Sequence, residues 1–148
     1  MIIETTNFGQ INIKDEDIIL FDLGIPGFED VHRFCIINNE DSESPFLWMQ
    51  AVDISTLAFA LVNPFAIKKD YDFELSGESV KDLGIEDINQ IVVYSIVVVP
   101  EDLKKISMNL KAPIVINTSN KKAAQVILDT DKYTVRHYIL DELQKLEV

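Results

Sequence analysis

Ile19-Leu20-Phe21-Asp22-Leu23-Gly24-Ile25-Pro26-Gly27-Phe28-Glu29-Asp30 runs a strand-like apolar segment into a Gly-Ile-Pro-Gly corner and re-enters on an aromatic residue. Pro26 fixes φ near the value required at the second position of a tight turn. Gly27 supplies the positive φ that a type II turn needs next. Ile25 to Phe28 therefore reads as one tight turn of structural purpose.

The same grammar repeats outward from this corner. β-branched and aromatic runs occur at Ile2 to Thr6, Ile11 to Ile13, Ile18 to Phe21, Arg33 to Ile37, Phe46 to Val52, Leu57 to Val62, Ile91 to Val99, Ser107 to Leu110, Pro113 to Ile116 and Ala123 to Leu128. Turn signals separate them: Asn7-Phe8-Gly9-Gln10, Asn38-Asn39-Glu40-Asp41, Asn63-Pro64 and Asn117-Thr118-Ser119-Asn120. Short strands at close spacing predict a mostly β, antiparallel, barrel-like fold. Helical pattern is sparse. Ser76 to Gly84 predicts a short helix with Ser76 as N-cap and Gly84 as its stop. Pro100-Glu101-Asp102-Leu103 offers one further helical turn with proline leading. Asn63-Pro64-Phe65 reads as a turn that leaves an aromatic on a short loop.

The C-terminal residues differ in kind. Leu140, Leu143 and Leu146 recur every three residues beside Ile139, with charged and polar residues between, which predicts an amphipathic helix over 138–148. Packing onto the barrel and contact with a partner are both open to it. At 148 residues the chain is expected to be one domain spanning 1–148.

Composition narrows the function. No apolar run approaches the ~18 residues of a membrane span, and no basic leader precedes the first strand, so a cytoplasmic protein is expected. Cys35, the single cysteine, lies among Phe34, Ile36 and Ile37 and reads as an inert core thiol. The 25 acidic against 13 basic residues give a net charge of -12. That balance disfavours direct nucleic-acid binding, since Lys68-Lys69, Lys104-Lys105 and Lys121-Lys122 are isolated pairs beside acids. It favours solubility and attraction of a cationic protein surface.

No catalytic, metal or cofactor set is legible. His32 and His137 lie in unrelated segments, no serine sits in a Gly-x-Ser-x-Gly elbow, and the five glycines never reach phosphate-loop spacing. A carboxylate pair acting in a small hydrolase or ligand-binding barrel remains the alternative. Segments richer in polar and apolar mixture than a core requires mark binding candidates. In Pro45-Phe46-Leu47-Trp48-Met49-Gln50-Ala51, alternation puts Phe46, Trp48 and Gln50 on one face. Trp48 reads as core, although tryptophan also anchors interfaces. In Asn109 to Asn117, Pro113 should begin a strand or lie on an edge open to a partner peptide.

Taken in order, several of these pieces resemble the FliW family of flagellar assembly factors: Phe21-Asp22-Leu23-Gly24-Ile25-Pro26-Gly27-Phe28-Glu29, Pro45-Phe46-Leu47-Trp48-Met49-Gln50, Asn63-Pro64-Phe65, Val99-Pro100-Glu101, Asn109-Leu110-Lys111-Ala112-Pro113-Ile114-Val115-Ile116-Asn117, and Gln125-Val126-Ile127-Leu128 with Tyr133 and Arg136-His137. The likeness covers roughly residues 2 to 138. Two departures stand out: Asn63 replaces an aspartate frequent in the family, and the chain continues through Leu146 past the usual end. The resemblance implies a β-barrel-like adaptor without catalysis or cofactor, a chaperone-like partner of flagellin and an antagonist of the translational repressor CsrA. By that scheme flagellin occupies the protein until export, which then releases it to restrain CsrA. An acidic surface suits a partner that presents basic surface to RNA. Contacts are expected around the loop and edge-strand motifs, at Phe65, Glu101, Asp102, Met108, Asn109 and Lys111.

Overall fold

A computed structural model describes residues 1–38 and 45–146. The turn read at Asn38-Asn39-Glu40-Asp41 falls, apart from Asn38, outside the described residues. Among the described residues, eleven strands and three short α-helices follow in chain order: β1 (Ile2–Thr5), β2 (Gly9–Asn12), β3 (Ile19–Phe21), β4 (Arg33–Ile37), β5 (Phe46–Ala51), β6 (Ala58–Val62), α1 (Pro64–Ile67), α2 (Gly77–Asp82), β7 (Ile91–Val98), β8 (Ser107–Met108), β9 (Ile114–Asn117), β10 (Lys122–Gln125), β11 (His137–Tyr138) and α3 (Ile139–Leu146). Each of the ten strand segments read from the sequence overlaps one strand, with β2, β9 and β10 running one or two residues beyond the segment read, and β11 is the addition.

Seven strands close into a barrel in the order β7-β6-β5-β4-β3-β10-β9, with β9 returning to β7. All these pairings are antiparallel except β10 with β3. The length of β7 permits closure. Its first half, Ile91 to Tyr94, pairs β9, while Val97 and Val98 near its end pair β8, which in turn carries β11. Closure removes most open edges, which is how β proteins avoid uncontrolled strand pairing.

Period-two alternation sorts the core into layers. Met49, Ala51, Leu61, Phe21, Phe34, Ile114 and Ile116 fill the barrel. Ala60 and Val62 point the other way, into a second cluster with Ile67, Tyr71, Met108, Leu110, Leu128, Tyr133 and Ile139, against which Phe46 and Trp48 pack. Trp48 is half-buried there, edge-on to Phe8 with ring centroids 5.9 Å apart. Gln50 is fully buried, and its Nε2 donates to the carbonyls of Ala51, Ile54 and Ser55, so it holds the β5–β6 turn. The β1–β2 hairpin covers a third cluster of Ile3, Ile13, Cys35 and Val52.

The opening corner forms as read. Phe28 N–H donates to Ile25 O at 2.6 Å, and Gly27 has φ +91°. Ser76 caps α2 through Ser79 N–H, and Gly84 ends it at φ +63°.

Four local expectations are corrected. β9 is no edge strand: it pairs on both sides and all four residues are buried. Pro113 is tolerated because it precedes the strand and contributes only its carbonyl, which accepts from Val126 N–H at 2.9 Å. The helical turn after β7 is a 3-10 turn over Leu103–Lys105, because Asp102, and not Pro100, sets its start by accepting from Lys104 N–H at 3.1 Å. Asn63-Pro64-Phe65 is the start of α1, with Asn63 as N-cap and Pro64 at the first position. In α3 the buried side chains are Ile139 and Glu142, whereas Leu140 and Leu143 are exposed. The side chain of Leu146 lies outside the described residues.

Candidate protein-interaction surface

The six residues singled out from the sequence fall on α1 and along the β7–β8 hairpin and its continuation. Phe65, on α1, is 40% exposed and lies against Tyr71 with ring centroids 5.4 Å apart. Glu101 and Asp102 are exposed in the β7–β8 connection. Met108 has no exposed area and belongs to the second core cluster, so its side chain lies beneath the surface. Asn109 Oδ1 accepts from the N–H groups of Lys111 and Ala112 at 3.1 and 2.9 Å, shaping the bend that leads to β9. Lys111 Nζ donates to Thr130 O.

Tyr71 joins these pieces. Its hydroxyl donates to Leu110 O at 2.8 Å, and its ring touches Phe65, Phe73 and Tyr133. Burial raises the phenol well above its ordinary pKa, the negative charge of Tyr133's ionised form adding to this, so Tyr71 is a fixed neutral donor. Phe65 is thereby tied to the 108–111 segment. Glu101 and Asp102 reach the same region by a second route, because the 3-10 turn after Asp102 packs on α3 and α3 packs on α1.

The α1–α3 junction is an ionic knot. Glu142 Oε1 lies 2.8 Å from His137 Nε2, 3.6 Å from Lys68 Nζ and 3.4 Å from Lys145 Nζ, with only 8% of its side chain exposed. Burial alone would raise this carboxyl, but the hydrogen bond from His137 and the two ammonium groups outweigh it and hold the pKa below the ordinary value. A carboxylate only accepts, so His137 Nε2 carries the proton. Around the knot, Val98, Val99, Leu103, Tyr138, Leu140 and Leu143 are exposed.

The segment Asp72 to Leu75 forms an extended strap between two clefts. One, of about 730 Å³, is mostly apolar and runs from Phe65 and Phe73 to Val80, Ile88 and Val92. The other, of about 710 Å³, lies between the strap and the 123–130 segment and carries acids on its rim. Sequence reasoning missed both clefts. Their walls come from segments far apart in the chain, and no periodicity or motif marks them.

The two histidines serve the scaffold. His32 Nδ1 donates to Phe21 O at 2.8 Å, and His137 holds Glu142. Among the described residues no group of three or more His, Cys, Asp or Glu side chains is arranged to hold a metal ion. The Cys35 thiol is pushed up to about 11 by burial and by the charge of Asp17, as expected of a core thiol. Among the described residues no helix is long and apolar enough to cross a membrane.

With this geometry in place, the likeness to known proteins is extensive. The chain is similar to the flagellar assembly factor FliW of Ruminiclostridium cellulolyticum, 69% identical over all of both chains. It is 42% identical to the flagellar assembly factor FliW of Bacillus subtilis, over 94% of this chain and 96% of that one. A crystal structure of the flagellar assembly factor FliW superimposes with a TM-score of 0.87 at 32% identity, covering 94% of this chain and 96% of the other. The FliW protein family model matches residues 2–139, which takes in the barrel, both clefts and the β8–β11 flap, and the chain belongs to the FliW family.

Proposed function

We propose that this protein is a non-enzymatic flagellar assembly factor of the cytoplasm that binds flagellin and the translational repressor CsrA, antagonising CsrA so that flagellin translation follows flagellin export. The family match over residues 2–139 carries the reading. The net charge of -12 supports it, since an acidic protein docked beside an RNA-binding surface attracts the repressor and repels the message. The surface proposed for these contacts is the exposed ground between Phe65 and the Glu101–Asp102 connection, with Asn109 and Lys111 shaping its floor and Met108 packed beneath it.

Purified protein is mixed separately with CsrA and with flagellin, and complexes are followed by sedimentation at low and high salt. A salt-sensitive complex with each partner is expected. Failure to form a complex with either one overturns the reading. Charge reversal at Glu101 and Asp102 should slow association with CsrA several-fold; at Glu101 stability should stay within about 0.5 kcal/mol of wild type, and at Asp102 it should fall by about 0.5–2 kcal/mol through the lost cap of the 3-10 turn. An unchanged on-rate removes those two residues from the contact.

A further inference from the structure

The barrel leaves a strand edge open inside the acidic cleft. Val126 and Leu128 turn their N–H groups inward to the carbonyls of Pro113 and Lys111, at 2.9 and 2.8 Å. Alternation therefore turns the N–H and C=O groups of Gln125 and Ile127 to the opposite edge. There the parallel pairing with β3 ends at Ala123 opposite Phe21, where β3 gives way to the Asp22–Gly24 turn, and no described strand continues it. Facing this edge across the cleft is the strap, closed at one end by Tyr133, whose hydroxyl accepts from Asp72 N–H and donates to Asp72 O, both at 3.0 Å. The walls are apolar at Leu23, which is 84% exposed, at Ile127, which is 69% exposed, and at Phe73 and Leu75. The rim carries Asp22, Asp72, Glu74, Glu78, Asp82 and Asp129 against Lys132 alone.

We infer that this cleft receives an extended, cationic peptide segment of a partner protein, added as a strand to the outward edge of Gln125–Leu128. Backbone pairing at Gln125 and Ile127 supplies register, and exposed Leu23 and Ile127 meet apolar side chains of the incoming strand. The acidic rim selects lysine or arginine at the alternate positions. An acidic strand would meet six carboxylates and be rejected. The cleft volume of about 710 Å³ lies in the range of sites that enclose a ligand of several hundred daltons, enough for the few residues that the outward groups of Gln125 and Ile127 can pair. This edge is distinct from the Phe65–Asp102 ground, and a model peptide tests it without either protein partner.

A labelled peptide alternating Lys and Val over about ten residues is titrated with the full chain by fluorescence anisotropy. A copy N-methylated at alternate residues and a Glu/Val copy serve as comparisons. Expected results are binding of the Lys/Val peptide and a loss of about tenfold or more for each copy. Amide exchange at Gln125 and Ile127 should slow about tenfold or more on binding. Ile127→Pro, which removes the outward donor, should weaken binding as strongly, and the D102K variant should leave it unchanged. If Ile127→Pro does not fold, the methylated peptide and the exchange readout decide. The inference is overturned by absence of binding, by equal binding of the methylated copy or by unchanged exchange at both amides. It is equally overturned if the protein alone forms a dimer that protects these two amides, which would make a second copy the occupant.

Discussion

Glu142 Oε1 and His137 Nε2, five residues apart, are 2.8 Å from each other at the junction of α3 and β11, and through Lys68 the same carboxylate binds α1. One buried acid thus fastens the C-terminal helix to β11 and to the end of α1. Beside the buried Ile139, a charged residue of this amphipathic helix packs inward because its charge is met there.

Acid should loosen this junction. The folded carboxyl titrates below its ordinary value of 4.5, so the stabilisation is complete above that pH and is lost as pH falls through the depressed folded value. Glu142→Gln should cost about 1–3 kcal/mol near neutrality and flatten the dependence of stability on pH below about 5. Urea unfolding from neutral to acid pH measures both. An unaltered acid limb would show that Glu142 does not carry it.

Tyr133→Phe should detach the strap without opening the core. The ring contact with Tyr71, at 4.7 Å, survives, while both hydrogen bonds to Asp72 are lost. A cost of about 1–2 kcal/mol is expected. Faster exchange of the Asp72 amide distinguishes strap release from general destabilisation.

Gly24 and Gly27 should respond differently to alanine although both have positive φ. At Gly24, φ +68°, a Cβ would lie 2.6 Å from Glu29 Cα and 2.7 Å from two backbone carbonyl oxygens, whereas at Gly27, φ +91°, nothing lies within 4 Å. Gly27→Ala should cost about 1–2 kcal/mol, the conformational term alone. Gly24→Ala should cost more, because backbone must move. Equal unfolding midpoints for the two variants would contradict the close approach.

Cys35 should resist thiol reagents at neutral pH. Its thiol is 1% exposed and pushed up to about 11, so thiolate is scarce and access is closed. Labelling with a disulfide reagent should follow unfolding in urea. Rapid labelling of the native protein would show that the hairpin over Cys35 opens.

Much of the barrel was legible in the chain because its causes are local. Alternating runs such as Phe46 to Ala51 fix which side chains point inward, and Pro26-Gly27 and Ser76 set a turn and a cap by their own chemistry. The same residues, taken in order, also marked the family. Which strands border which was decided only by the tertiary structure. Pro113 reads locally as the start of a strand or as an edge signal; it stands directly before β9, and β9 lies between β7 and β10, because pairing depends on closure around a shared core and not on any one residue. The three-residue leucine spacing of α3 predicts an amphipathic helix and leaves open whether its leucines pack on the barrel or face a partner. Tertiary placement instead buried Glu142, where a histidine and two lysines from three elements meet its charge. Clefts follow the same logic: acids from Asp22 to Asp129 share one rim only after folding, since a field depends on distance in space and sequence records only distance along the chain.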